Sequence, residues 1–501
     1  MTVERLEVAL LVGAVVVLVA AVAVRWSTRV GLPSLLVYLA LGIALGQGAG
    51  LRVGDPVLAE ALGFAALVVI LAEGGLTTRW SSVRSAMPLG VALATVGVAV
   101  SIVVVALAAR YLLWQPWRNA LLLGAVLAST DAAAVFATLR RLPLRPRLVR
   151  VLEAESGLND APAVILVVLL SSPSWETAAP LGLVGLVAFE LALGAAVGVA
   201  IGAAGGWLLP RAALPAAGLY PLAALAFTVL AYAVAALAHA SGFLAVYVAA
   251  VVLGNVPMPH RRATLGFAQA LAWLAQIGLF VLLGLLVTPE RLGAAVLPAL
   301  AVAVVLLLAA RPLSVLASAA LFRLPWSEQA FLSWAGLRGA VPIVLATIPV
   351  AAGIDGADRL FDVVFVLVVI LTLIQGPGLA TIARRLGVAA PAEPVEVEVE
   401  SAPLEDLGAD LIQLRIPAQS KLHGVEVGEL RLPTGAAVTL VVRDGRSFVP
   451  ELTTGLRAGD ELLVVATSEC RPAVEQRLRA VSRRGRLAAW LGERGEETAG
   501  W

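Results

Sequence analysis

The chain has almost no cysteine, lysine or histidine, and little charge of either sign. Its 501 residues include one cysteine, Cys470, and three histidines that lack metal-ligand spacing, and only 14% are charged. A single cysteine excludes an intrachain disulfide framework and a cysteine metal cluster. Lys421 is the only lysine among 36 basic residues. The basic residues are therefore nearly all arginine, which we attribute to a GC-rich genome and not to nucleic-acid binding.

Apolar residues make up 60% of the chain, far more than in a soluble domain. Runs of about 20 apolar residues recur from the N-terminus to about residue 385, which is typical of a polytopic membrane protein. The first run, at 8–24, follows Glu4, Arg5 and Glu7 where a cleaved signal peptide would carry basic residues. We therefore expect the first run to be retained as a membrane span.

The sequence predicts an all-α polytopic membrane domain at residues 1–387 with about thirteen transmembrane helices. The predicted spans are 6–24, 31–49, 56–76, 87–109, 118–140, 147–171, 180–208, 219–239, 241–256, 265–287, 293–321, 328–350 and 361–383. An odd number of spans places the two termini on opposite sides of the membrane. With the C-terminus in the cytoplasm, inside loops hold about fifteen arginines and outside loops about six, as the positive-inside rule requires. We therefore predict a cell (inner) membrane protein with its N-terminus outside.

The composition changes after the last span. Residues 388–403 are rich in Pro, Glu and Val and predict a linker. Residues 404–482 predict a small α+β cytoplasmic domain, followed by a tail at 483–501. Its predicted strands are 410–416, 437–442, 447–449 and 461–466, and its predicted helix is 472–483. Neither a G-x-G-x-x-G motif nor a P-loop occurs here, so no complete dinucleotide-binding fold is indicated.

The sixth span carries the segment Glu155-Ser-Gly-Leu-Asn-Asp160 between apolar flanks. A charge at mid-bilayer costs roughly 2.5–3.5 kcal/mol or more, so it persists mainly where it has a function. Ser156 and Asp160 are four residues apart and share one helix face, whereas Glu155 points toward a neighbouring helix. A patch of interhelical hydrogen bonds is the alternative, but two carboxylates within six residues favour cation binding and proton transfer.

Two other spans hold carboxylates. Asp131 follows Ser129 and Thr130 in the fifth span, one short loop before Asp160, which favours a shared site. Glu73 lies near the predicted cytoplasmic end of the third span, where an interfacial charge is the alternative. Glu190 in the seventh span has no assigned role.

Two arginines occupy later spans, and buried guanidiniums need carboxylate or carbonyl partners. Glu155 is the natural partner for Arg311, which leaves Asp131 and Asp160 less neutralised. Arg338 lies in a helix interrupted by glycines and a proline, where it can bond freed carbonyls. Interrupted, polar fifth and twelfth spans also predict that spans 4–6 and 11–13 are inverted repeats, whose broken helices cross at the ion site of many transporters.

Three motifs together resemble the monovalent cation:proton antiporters of the sodium/proton exchanger (NhaP-like) family. They are Ser129-Thr130-Asp131, Glu155-Ser-Gly-Leu-Asn-Asp160 and Gly336-Leu-Arg-Gly-Ala340. The resemblance covers residues 5–385. It implies thirteen spans in a core domain and a dimerisation domain, a homodimer, and an elevator-like movement.

The resemblance also implies a role for each candidate residue. Asp160 would bind the cation and carry the proton, so that a monovalent cation sits at Asp131 and Asp160. The other implied residues are the co-ligands Ser156 and the Thr130 carbonyl, the nearby acid Glu73, the helix brace Asn159, and the buried ion pair of Glu155 with Arg311.

Two features bear on which cation is carried. Asp131 is followed by Ala132 where many sodium/proton exchangers have proline, and this resembles the potassium/proton subgroup. Residues 404–482 resemble the TrkA-C (RCK C-terminal) domain of potassium-conductance regulators, at Gly424, Pro433, Arg443, Pro450 and Gly459-Asp460. Both favour K⁺ and leave Na⁺ open, although Ala161-Pro162 departs from the subgroup pattern.

A carboxylate shared between H⁺ and an alkali cation predicts obligate exchange, serving cation and pH homeostasis. Because Asn159 stands where an Asp would titrate, we hypothesise electroneutral 1:1 exchange. The chain lacks enzymatic motifs and predicts no resident cofactor, but a nucleotide or cation is expected to regulate the C-terminal domain. The alternatives are a regulated monovalent cation channel, against which the missing Thr-Val-Gly-Tyr-Gly filter argues, and a non-transporting ion sensor.

Overall fold

The chain divides into two units, residues 1–389 and 390–501. Apolar helices form most of the first unit. The computed structural model describes residues 3–30, 34–48, 55–132, 135, 139, 144–173, 175, 180–320, 322–390, 399–404, 409–417, 420–467 and 469–489. The helices of the first unit are α1 (Val3–Val30), α2 (Ser34–Gly48), α3 (Pro56–Thr77), α4 (Trp80–Val83), α5 (Met87–Leu112), α6 (Trp117–Val126), α7 (Pro146–Ser171), α8 (Pro180–Leu208), α9 (Leu219–Leu237), α10 (Gly242–Gly254), α11 (Arg261–Leu286), α12 (Pro289–Ala319), α13 (Trp326–Trp334), α14 (Ala340–Ala351) and α15 (Ala357–Arg385).

Eight helices in the described part of the chain are long and apolar enough to cross a membrane. They are α3, α5, α7, α8, α9, α11, α12 and α15. Shorter apolar helices occur at Leu10–Ala23 within α1 and as α2, α10 and α14. The protein is therefore a multi-pass membrane protein, while the count of thirteen spans stays a prediction.

Proline and capping residues explain where several helices begin. Asp55 caps α3 by accepting hydrogen bonds from the backbone N–H groups of Val57 and Leu58, at 2.9 and 3.3 Å. Pro56 follows in the first turn, where a missing N–H costs nothing. Helix α7 begins with Pro146 in the same way, but it also contains Pro162 in its interior. An interior proline has no N–H, so α7 lacks the hydrogen bond from residue 162 to the Leu158 carbonyl.

Two interrupted helices meet inside the first unit. Helix α6 ends at Val126, and the chain is non-helical through Asp131. The chain is non-helical again at 335–339, between α13 and α14. The two segments touch where the backbone N–H of Asp131 donates to the carbonyl of Leu337 at 2.9 Å. Part of the predicted fifth span, including 133–134 and 136–138, lies outside the described residues.

Helices α5 and α12 each contain one π-helical turn, at Leu93–Gly97 and Leu306–Ala310. The two helices pack together here, because Ser314 Oγ donates to the Gly97 carbonyl at 2.9 Å and Ser318 Oγ to the Ala92 carbonyl at 3.1 Å. A π turn adds one residue to the helical repeat and is frequent at functional sites. The turn in α12 directly precedes Arg311, so it sets the face on which this arginine lies.

The second unit contains one antiparallel sheet in the order β1-β2-β5-β3-β4. The strands are β1 (Val399–Leu404), β2 (Ala409–Arg415), β3 (Ala436–Arg443), β4 (Arg446–Phe448) and β5 (Glu461–Thr467), followed by α16 (Arg471–Arg484). Asp444 and Gly445 both have positive φ, as a two-residue hairpin turn between β3 and β4 requires. The predicted fold class, a polytopic all-α membrane domain with a small α+β domain, is thus confirmed.

Strand β1 departs from the sequence analysis, because it lies mostly in the predicted linker at 388–403. It pairs with β2 over its whole length, from Val399 opposite Leu414 to Leu404 opposite Ala409. The sheet therefore begins earlier than predicted, and residues 391–398 of the predicted linker lie outside the described residues.

Buried polar contacts stabilise the second unit. Asp460 accepts hydrogen bonds from Arg443 Nε and Nη2 at 2.9 and 2.7 Å and from the backbone N–H of Arg457 at 2.8 Å. Burial alone would raise the pKa of Asp460, but these hydrogen bonds and the two positive charges outweigh burial and lower it below its ordinary value. The residues predicted to match a TrkA-C pattern thus include a well-formed ion pair.

Candidate functional site

Asp160 lies in the middle of α7 and is almost fully buried, with 7% of its surface exposed. Its Oδ1 accepts a hydrogen bond from Ser129 Oγ, in the non-helical segment that follows α6. Asp131 lies in the same segment, close enough to Asp160 for the two carboxylates to interact electrostatically. The carboxylate of Asp131 also packs directly against Gly339, where a side chain would displace it. Both carboxylates are therefore held where the two interrupted helices cross.

Ser156 ties α7 to the same segment. Its hydroxyl donates to the Thr130 carbonyl at 3.0 Å and accepts from the backbone N–H of Ala132 at 3.2 Å. Hydroxyl, carbonyl and carboxylate oxygens suit hard cations. The structure thus brings together Asp131, Ser156, Asp160 and the Thr130 carbonyl, all four of the oxygen-bearing groups that the sequence analysis proposed as ligands.

Asn159 makes a second cross-link between these elements. Its Nδ2 donates to Thr130 Oγ1 at 2.6 Å, and only 1% of the residue is exposed. Its Oδ1 is buried and accepts no hydrogen bond within the described part of the chain. One end of this amide holds the crossing segment, as a brace would, and the other leaves an acceptor oxygen free.

The charge of Glu155 is matched inside the protein. Arg311 Nη1 and Nη2 contact Glu155 Oε1 and Oε2 at 2.6 and 3.5 Å, and Nη2 also donates to the Leu332 carbonyl at 3.0 Å. The two side chains are 4% and 2% exposed. Glu155 is thus half of a buried ion pair and does not contribute an unmatched charge to the candidate site.

Arg338 holds the broken end of the fifth span. Its Nη1 donates to the Ala128 carbonyl at 3.0 Å and to the Ser129 carbonyl, and the residue is 1% exposed. Ala128 and Ser129 lie in the non-helical segment after Val126, so their carbonyls need partners from outside a helix. Arg338 therefore fixes the segment on which Thr130 and Asp131 lie.

Glu73, the acid predicted near the site, lies on α3. It is half-buried, and its backbone carbonyl accepts a hydrogen bond from Thr77 Oγ1 at 3.0 Å. Within the described residues no hydrogen bond or ion pair joins the carboxylates of Glu73 and Asp160. The position of Glu73 as an acid near the site stays a prediction.

Three neighbours of the site were missed by the sequence analysis as functional residues. Ser129 bonds Asp160 directly, and its place in the Ser-Thr-Asp motif was the available signal. Gly339 provides the space for the Asp131 carboxylate. Tyr247 on α10 packs on Gly157, where a Cβ would lie 2.6 Å from the Tyr247 hydroxyl oxygen. A lone tyrosine in an apolar helix gives no signal that it faces the site helix.

Both units of the chain are similar to known protein families. The transmembrane model of the sodium/hydrogen exchanger family matches residues 14–385, and the TrkA-C domain model matches residues 411–478. The K(+)/H(+) antiporter NhaP2 of Shewanella oneidensis is 35% identical over 463 residues, which cover 91% of this chain and 80% of that protein. The K(+)/H(+) antiporter NhaP of Alkalimonas amylolytica is 35% identical over 471 residues, covering 92% and 82%.

A solved structure supports the same fold. The sodium proton antiporter MjNhaP1 of Methanocaldococcus jannaschii matches with a TM-score of 0.66 at 19% identity, over 76% of this chain and 99% of that one. At this identity the likeness concerns the fold alone. The extent of the family match and the identity to the two relatives decide the assignment: the chain belongs to the sodium/hydrogen exchanger family.

Proposed function

We propose that the protein exchanges a monovalent cation for H⁺ across the cell membrane, with K⁺ as the favoured cation and Na⁺ as the other candidate. The single observation that carries this is the pairing of Asp131 and Asp160 at the crossing of two broken helices, beside the Ser156 hydroxyl and the Thr130 carbonyl. Such a site holds either a proton or a partly dehydrated alkali cation.

The preference for K⁺ rests on sequence relatives. Two proteins 35% identical to this chain bear the name K(+)/H(+) antiporter. Ala132 and the TrkA-C domain favour the same cation. We therefore propose that the cation bound at Asp131 and Asp160 is K⁺, that Asp160 also carries the proton, and that Glu73 is an acidic group on the route to them.

Regulation is assigned to residues 390–501. This unit folds around its own sheet and has a core of its own, centred on residues such as Ile412, Leu414 and Val464. We propose that it binds a regulatory nucleotide or cation on the cytoplasmic side and biases the carrier. We also propose that the protein is a homodimer of the inner membrane with its N-terminus outside.

The test uses purified protein in proteoliposomes with an imposed pH difference. Addition of K⁺ should collapse the pH difference, and addition of Na⁺ in a separate experiment measures the preference. Asp160→Asn should abolish the response to both cations. Glu190→Gln is a matched control, because Glu190 is a carboxylate of α8 outside the candidate site. This variant should stay active.

Each result has a distinct meaning. A pH difference that persists with both cations refutes antiport. Charge movement that accompanies cation flux without proton flux would indicate a channel. Cation-driven proton flux in Asp160→Asn would refute the role of Asp160 while leaving antiport intact.

A further inference from the structure

A short segment after α15 is bonded to the residues that precede α7. This segment, residues 387–389, is called the exit strap. Leu144 and Ala389 form an isolated antiparallel bridge, and the backbone N–H of Arg145 donates to the Val388 carbonyl at 3.1 Å. Arg145 Nη2 donates to the Gly387 carbonyl at 2.7 Å. Gly387 has φ of +65°, which turns the chain back toward Arg145 after the helix ends.

One side of this contact is followed in the chain by the second unit, and the other side is followed by the helix that carries the candidate site. The exit strap ends at Ala389, the last residue of the first unit, and the second unit begins at the next residue. On the other side, Arg145 directly precedes α7, which carries Ser156, Asn159 and Asp160. At 1.5 Å per residue, Asp160 lies about 22 Å along the helix from Arg145. A helix transmits a shift at one end to the other as a rigid element.

Glu328 adds a third element to the junction. It is 4% exposed in the first turn of α13, and its carboxylate oxygens lie 3.7 Å from Arg145 Nη1 and 3.7 Å from Arg147 Nη1. Helix α13 leads into the interruption at 335–339, which contacts Asp131. Because the two arginine side chains are 46% and 50% exposed, solvent weakens these ion pairs. The shorter contact of Arg145 with Gly387 distinguishes it from Arg147.

We infer that Arg145 is a positioning residue that couples the exit strap to α7, so that the state of residues 390–501 reaches the ion site through it. This inference rests on the proposed function. When the second unit draws the strap away, Arg145 loses the Gly387 carbonyl and the start of α7 is free to shift against α13. When the exit strap keeps its contacts with Arg145, α7 and α13 are held in one position relative to each other.

The test is a double-mutant cycle that combines deletion of residues 390–501 with Arg145→Ala. Cation-driven proton flux in proteoliposomes gives an apparent cation affinity for each of the four proteins. The deletion should change this apparent affinity in the wild type. In Arg145→Ala the fold-change caused by the deletion should be about threefold to tenfold smaller, because one hydrogen bond from a half-exposed charged donor is lost. Arg147→Ala is the matched control, because Arg147 shares the Glu328 contact and has no described bond to the strap. It should keep the full effect of the deletion.

A second variant protects the test against misfolding of Arg145→Ala. Leu144→Cys with Ala389→Cys, made with Cys470→Ser, places a cysteine pair across the antiparallel bridge. Opposite residues in such pairs lie about 4.5–5.5 Å apart at Cα, which suits a disulfide. Oxidation should lock the strap, so that the full-length and deleted proteins have the same apparent affinity, and reduction should restore the difference.

The outcomes separate this inference from the proposed function. If wild-type protein shows no cation-driven proton flux, the proposed antiport fails and the inference fails with it. If flux is present and the deletion changes nothing, antiport stands while regulation and the inference both fail. If the deletion acts equally in the wild type, in Arg145→Ala and in the oxidised cysteine pair, the inference alone is overturned.

Discussion

The buried pair of Glu155 and Arg311 makes a quantitative prediction possible. Replacing either residue by methionine leaves the other charge buried and unpaired, because both side chains are less than 5% exposed. Breaking a buried pair in this way costs about 3–5 kcal/mol. Replacing both residues by methionine removes both charges with little change of volume, and such exchanges are often neutral or stabilising.

The structure indicates which single variant suffers more. Without Glu155, Arg311 keeps its hydrogen bond to the Leu332 carbonyl at 3.0 Å. Without Arg311, Glu155 has no described hydrogen-bond donor left. We therefore expect the melting temperature to fall more in Arg311→Met than in Glu155→Met, and to recover most of the loss in the double variant.

The assay is thermal unfolding of detergent-solubilised protein, followed by size-exclusion chromatography with fluorescence detection. Proton flux in proteoliposomes is measured on the same preparations. The double variant should retain cation-driven flux, because no described hydrogen bond or ion pair joins Glu155 or Arg311 to the side chains of the candidate ligands. A double variant that is no more stable than the worse single variant would refute compensation of charge as the role of the pair. A stable double variant without flux would place the pair in the transport step.

Three other predictions follow from single contacts. Gly157→Ala should cost about 1–3 kcal/mol by overpacking against Tyr247 and should slow flux, and an unchanged Gly157→Ala variant would contradict the packing. Tyr247→Ala is destabilising by itself because Tyr247 is buried, but adding Gly157→Ala to it should lower the melting temperature much less than in the wild type. Asn159→Asp adds a titrating carboxylate, so proton flux should acquire a dependence on membrane potential that an electroneutral wild type would lack. A dye-reported potential that stays unchanged in this variant would contradict the hypothesised 1:1 stoichiometry. The pKa of Asp460 is lowered in the folded state, so its ion pair with Arg443 stabilises the second unit fully above about pH 4, the ordinary pKa of an Asp side chain. This stabilisation is lost as the pH falls through the lowered pKa. The melting-temperature deficit of Asp460→Asn should therefore be constant from pH 8 to pH 5 and disappear only in stronger acid; a deficit that vanishes near neutrality would contradict this assignment.

Much of the candidate site is readable from the sequence because a charge in an apolar run is conspicuous. Asp131, Asp160 and the pair of Glu155 with Arg311 were identified on this ground. In each case the cost of burying a charge limits the number of acceptable partners. The structure brings Arg311 to Glu155 across 156 residues of sequence, as that reasoning requires.

Other features could not be predicted, because burying their residues in an apolar helix carries no unusual free-energy cost. Tyr247 and Gly157 each suit an ordinary apolar helix, and only the packing of α10 on α7 gives them a relation. The two π turns have no recognisable sequence pattern within an apolar run, although one of them sets the helix face on which Arg311 lies. Strand β1 was missed because its segment is rich in proline and glutamate, which are depleted in strands and favour a linker.

The guanidinium of Arg338 has a consequence for the electrical balance of the moving parts. Within the part of the chain that the structure describes, the cluster around the crossing has three carboxylates, Asp131, Glu155 and Asp160, and two guanidiniums, Arg311 and Arg338. With all five ionised, one net negative charge is left in a low-dielectric interior. If the cation and the proton bind here as proposed, one alkali cation or one proton brings this group to neutrality, and the two loaded forms are then electrically equivalent. Passage of the empty form through the hydrocarbon would carry one uncompensated negative charge. The arginine that braces a broken helix therefore also lets the loaded forms be neutral, while the carboxylates keep the empty form charged.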